Sequence, residues 1–91
     1  MAYENKTLEK LRLELQEIDL QLLLLLMERF RLTEKMGMVK KEENLEILQE
    51  AEWERKIGFI SGNLEGNPFS EEILRIFYLI HNESVLIQER L

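Results

Sequence analysis

Apolar residues recur at alternating steps of three and four from Thr7 to about Lys41: Leu8, Leu11, Leu15, Ile18, Leu22, Leu25, Leu32, Met36 and Val39. That spacing marks one face of an α-helix. A single slot in the series is polar, and Arg29 fills it. No proline or glycine interrupts the run before Gly37, so nothing in it stops a helix early. Such a helix is about 50 Å long. A globule of 91 residues is only about 25 Å across. The stripe is therefore too long for its own chain to cover. A second copy of the chain is the expected cover.

The pattern beyond it predicts two shorter helices. Residues 1–6 are polar and expected to fray, with Thr7 as N-cap and Glu9 favourable in the first turn. Lys40 and Lys41 suit the C-terminal end of the helix dipole. A polar break follows over Glu42–Leu45, centred on Asn44. A second helix is expected from about Ile47 to Asn63, with Trp53, Ile57, Ile60 and Leu64 in register. Gly58 and Gly62 weaken it by about 1 kcal/mol each relative to alanine. The segment EGNPF (65–69) is a turn. Ser70 is the expected N-cap of a third helix, with Phe69 and Leu74 as a hydrophobic staple. Its apolar face carries Ile73, Phe77, Ile80, Ser84, Ile87 and Leu91. No β-alternation of useful length and no internal repeat occurs. The expected fold is all-α: three helices (long, medium, medium) in a single domain over 1–91, intertwined with a second copy as a homodimer.

Composition narrows the chemistry. There is no cysteine, hence no disulfide or thiolate metal site, and one histidine cannot build a zinc site. A net charge of −6 argues against nucleic acid and anionic membrane as partners. The apolar run Leu22–Met27 is far shorter than the roughly 20 residues that span a membrane, and the N-terminus lacks the apolar core of a signal peptide. A cytoplasmic protein without cofactor is expected.

The informative positions are polar groups inside apolar stripes, because burying them unpaired costs several kcal/mol. Lys40 follows Arg29 by nearly three turns, about 16 Å along the same side of the helix. Together the two cations could grip a small anion; equally, they fit a snorkelling arginine and a dipole-facing lysine. Ser84 and Gln88, at i and i+4, offer hydrogen bonds to a ligand or drift to the solvent edge of the third helix. Glu50 and Glu54 have the same spacing and fit a solvated acidic face. Arg12 lies about 25 Å before Arg29 along the axis, too far to share a small site within one chain. Across an antiparallel dimer, the start of one long helix lies beside the middle of the other, and the two arginines can meet.

Arg12, Arg29 in LLMERFRLTEKMG, Lys40, Glu54 in ER, and SVLIQ from Ser84 to Gln88 resemble, in this order, the all-helical chorismate mutases. The likeness runs from about Leu8 to Leu91. It is greatest to the mutase domain that opens bifunctional chorismate mutase–prephenate dehydratases. The resemblance implies an intertwined homodimer whose active sites use both chains. It implies that Arg29 and the second copy's Arg12 bind the two carboxylates of chorismate. Lys40 and Gln88 would face the ether oxygen, Glu54 with Glu50 the ring hydroxyl, and Ser84 the ring carboxylate. The implied reaction is the pericyclic conversion of chorismate to prephenate, in the shikimate branch leading to phenylalanine and tyrosine.

The second helix departs from the family pattern. Reading Glu50 and Glu54 into the acidic positions requires a one-residue insertion in the preceding loop. Without it, Gln49 and Trp53 face the site and the acidic contact is lost. The loop proline is absent, and the chain ends at Leu91 without a dehydratase domain, so a stand-alone mutase is expected. Isochorismate–pyruvate lyase, which shares fold and cationic site, and a non-catalytic helical dimer are the alternatives.

Overall fold

The computed structural model describes residues 5–91, which form three α-helices: α1 (Lys6–Glu42), α2 (Glu50–Asn63) and α3 (Ser70–Glu89). The all-α expectation holds. The chain divides into two compact units, Met1–Arg31 and Leu32–Leu91. Of the six residues expected to fray, 1–4 lie outside the described part, and Lys6 is already helical.

In the first unit, α1 begins one residue before the expected N-cap. Asn5, not Thr7, is the cap: its Oδ1 accepts the N–H of Leu8 at 3.0 Å, and its carbonyl accepts that of Glu9 at 2.9 Å. Asparagine is as good a cap as any residue, and it comes first in the chain. From Leu8 to Leu25 every member of the apolar stripe is exposed, Leu25 to 61 %. Leu13, Leu20 and Leu24 are exposed too, so this stretch presents apolar side chains on more than one face.

The second unit holds the last turns of α1 together with α2 and α3. Helix α1 ends without glycine or proline because Asn44 adopts a left-handed φ of 61°, which asparagine tolerates better than most residues. The N–H of Leu45 bonds the Lys40 carbonyl at 2.7 Å and that of Asn44 the Lys41 carbonyl at 3.3 Å, the two bonds of a Schellman stop. The expected break at Asn44 is therefore present. It runs longer than the sequence indicates, because α2 starts at Glu50 rather than near Ile47, with Gln49 extended at its N-cap. The helix then continues through Gly58 and Gly62 to Asn63.

At the second turn, Gly66 takes a positive φ of 76°. Ser70 does not cap α3: Phe69 occupies that position without a side-chain bond. Instead Ser70 Oγ lies 2.8 Å from the Leu64 carbonyl and 2.7 Å from that of Asn67, while Asn67 Oδ1 accepts the Phe69 N–H at 2.8 Å. The serine hydroxyl thus ties α3 back to the turn. Along α3, Ile73, Phe77, Ile80 and Ser84 are half-buried and Ile87 is buried, as the stripe predicts.

Candidate active site

Four described residues are buried: Thr33, Gly37, Ile87 and Gln88. Three of them meet at one place. Gly37 removes the side chain that would keep the end of α3 away from α1. A Cβ built there would lie 2.9 Å from Gln88 Cγ and 2.6 Å from Leu91 Cδ1. The close approach lets Gln88 Nε2 donate to the Thr33 carbonyl at 3.1 Å, and Gln88 Oε1 accepts from Lys40 Nζ at 2.9 Å. These neighbours fix the amide. An ammonium cannot accept a hydrogen bond and a carbonyl cannot donate one, so the amide oxygen must face Lys40 and the amide nitrogen Thr33.

Lys40 has a second acceptor, the Ile47 carbonyl at 2.6 Å. That bond ties the loop before α2 back to the last turn of α1. Burial lowers the Lys40 pKa from the ordinary lysine value, since desolvation disfavours the charged form. Ammonium, amide and two backbone carbonyls make a pre-ordered polar centre, built from chain positions 48 residues apart.

The other site candidates lie in different settings. Ser84, one turn before Gln88, is half-buried with its Oγ donating to the Ile80 carbonyl at 2.8 Å. Glu50 and Glu54 are exposed, whereas Gln49 and Trp53 are half-buried. The face that α2 turns toward α3 is the one carrying Trp53: its indole stacks on the His81 ring with centroids 3.7 Å apart and planes at 21°, and meets Tyr78 edge-on at 5.4 Å. In the first unit, Arg12 is exposed and Arg29 half-buried. Burial lowers the pKa of the Arg29 guanidinium from its ordinary value.

Sequence reasoning missed Thr33, His81 and the Ile47 carbonyl. The first two had a signal. Thr33 precedes Gly37 by four, two small residues on one face, and His81 lies in the series Phe77, His81, Ser84, Gln88 beside the stripe counted through Ile80. The Ile47 carbonyl had none, because backbone groups carry no side-chain signature.

No helix among the described residues is long and apolar enough to cross a membrane. A comparison with individual curated proteins gives no match. Among protein families, chorismate mutase type II matches residues 11–89, a span that takes in Arg12, Arg29 and the whole Lys40–Gln88 centre. The chain belongs to the type II chorismate mutases.

Proposed function

We propose that the protein converts chorismate to prephenate, in a homodimer whose two active sites each draw on both chains. The observation that carries this reading is the Lys40–Gln88 contact at 2.9 Å, buffered by the Thr33 and Ile47 carbonyls. The rearrangement needs no nucleophile, metal or obligatory proton transfer. It is accelerated by holding the enolpyruvyl side chain over the ring and by donors aimed at the ether oxygen, where negative charge builds in the transition state. Lys40 supplies a cation already partly stripped of water. Gln88 has a second amide N–H besides the one given to Thr33, and that hydrogen is its donor to the ether. Arg29 and the partner subunit's Arg12 clamp the carboxylates, with the planar fork that suits such groups. Ser84 holds the ring carboxylate.

The dimer rests on the first unit. Its apolar stripe, Leu8 to Leu25, is exposed throughout, and an exposed apolar surface of that extent marks an interaction site. In a dianionic substrate's approach to a chain of net charge −6, Arg12, Arg29 and Lys40 provide the local positive field.

One observation favours a second reading. Glu50 and Glu54 are exposed while Trp53 faces α3; a carboxylate at the ring hydroxyl favours a mutase over an isochorismate–pyruvate lyase, and its loss from the site favours the lyase or a non-catalytic dimer. The deciding experiment mixes purified protein with chorismate, follows its ultraviolet absorbance and identifies the product by acid conversion to phenylpyruvate. Accelerated prephenate formation, abolished in Arg29→Ala, is the expected result. Inactivity on chorismate with turnover of isochorismate would replace the mutase with the lyase. Inactivity on both would leave the non-catalytic dimer.

A further inference from the structure

Gln88 stands one residue before the end of α3 at Glu89, in the last turn, where helices ordinarily fray. It is buried all the same. Its bonds to Lys40 and to the Thr33 carbonyl require that this turn stay against α1. The contacts that hold it there lie just beyond the helix. Leu91 Cδ1 is 2.6 Å and Gln88 Cγ 2.9 Å from the point that a Gly37 Cβ would occupy, so the two side chains share the space that the glycine leaves. Leu91 is half-buried there. Its main-chain oxygen accepts a hydrogen bond from Lys41 Nζ at 2.9 Å, and its N–H returns to the Gln88 carbonyl at 3.3 Å. Two consecutive lysines of α1 thus hold the end of α3, Lys40 by the Gln88 amide and Lys41 by the main chain of Leu91.

We infer that Leu91 is a positioning residue of this site, seated on Gly37 so that the last turn of α3 keeps Gln88 at Lys40. This rests on the mutase reading, and Leu91 acts through Gln88 rather than on the substrate. A donor lowers the barrier only if it is already aimed when charge develops on the ether oxygen, and a small misplacement of the reacting geometry is costly in rate. Each opening of the last turn takes the amide away and leaves the ammonium as the single donor. Arg12 and Arg29, proposed for the carboxylates, are carried by α1, so the chemical step suffers more than substrate binding.

The test is a double-mutant cycle on kcat, which isolates the coupling between two side chains. Leu91→Ala is expected to lower kcat about ten-fold, part of the roughly 10²-fold lost when a donor is removed outright. KM should change by less than about two-fold, as when an interaction made in the transition state is lost. Leu91→Met, close to leucine in volume, is expected to keep the wild-type kcat. In a Gln88→Ala background, Leu91→Ala should slow the reaction no further, whereas a leucine that merely stabilises the fold has the same effect in both backgrounds. A Leu91→Ala variant with the wild-type kcat overturns this inference alone. So does a loss that repeats in full beside Gln88→Ala. Wild-type protein that leaves chorismate unchanged overturns the mutase reading and this inference with it.

Discussion

From Leu8 to Leu25, the first unit exposes every apolar residue of its stripe, while the second unit buries Thr33, Gly37 and Gln88 and only one apolar side chain, Ile87. Hydrophobic residues ordinarily sit inside and polar ones outside; here the two regions invert that rule in complementary ways. The exposed leucines mark where cover must come from elsewhere. The buried amide and half-buried ammonium mark where the chain spends its own cover on polar groups, and each has a hydrogen-bond partner. Apolar exposure thus points to assembly and polar burial to chemistry.

The strongest way to break this contrast is to put a charge into the exposed stripe. Leu22→Glu is expected to halve the solution mass, from twice the 11.0 kDa chain to one chain, and to abolish turnover. Light scattering at micromolar concentration measures it. A wild-type protein already monomeric there would remove the cross-chain role of Arg12.

In the second unit, Lys40→Ala is expected to lower kcat by about 10²–10³-fold, the loss seen when one donor to a developing oxyanion is removed. The accompanying loss of stability is about 1 kcal/mol, a shift of roughly 4–8 °C in melting temperature for a domain of this size. Near-normal kcat would take Lys40 away from the ether oxygen. Gln88→Glu is expected to slow the reaction about 10²-fold at neutral pH and to recover in acid. There the carboxyl regains a proton to donate, whereas the charged form sets an oxygen against the Thr33 carbonyl. A flat profile would mean that Gln88 does not donate.

Gly37→Ala sharpens the packing side of the contrast. Its methyl would fall 2.9 Å from Gln88 Cγ, so about 1–3 kcal/mol of overpacking cost is expected, read from denaturant midpoints together with a lower kcat as Gln88 shifts. The smallest effect is a divergence with pH. Because burial lowers the Lys40 pKa, the unfolded chain binds more protons than the folded one between that lowered value and the ordinary lysine value. Stability therefore rises with pH across this window, while kcat falls as the ammonium is lost. Parallel melting and rate profiles would test the opposite signs, and a rate unchanged through the window would uncouple Lys40 charge from catalysis.

The helices were legible because their stripes run for many turns at a spacing no strand can mimic. Their ends were less so. Thr7 and Ser70 have good cap chemistry, but Asn5 stands earlier in the chain, and Ser70 turns its hydroxyl to Leu64 and Asn67. The loop that delays α2 to Glu50 is tied to Lys40 through the Ile47 carbonyl, a bond that no local pattern encodes. At the site, polar interruptions singled out Arg29, Lys40, Ser84 and Gln88 one by one. Which of them touch depends on Gly37 allowing α3 to approach, and the Trp53–His81 stack depends on where α2 begins.

The Schellman stop carries one more consequence. Lys40 gives its carbonyl to the N–H of Leu45 and its ammonium to Gln88 and Ile47, so one residue both ends α1 and equips the site. Insertions and deletions should then be tolerated very unevenly. A residue inserted between Gly37 and Lys40 would turn the lysine about 100° around the helix, away from Gln88. The same insertion between Leu45 and Gln49 falls beyond the stop, leaving Lys40 in register and only lengthening the loop. Length variation among homologous chains is accordingly expected to gather after Asn44 and to spare the helix before it.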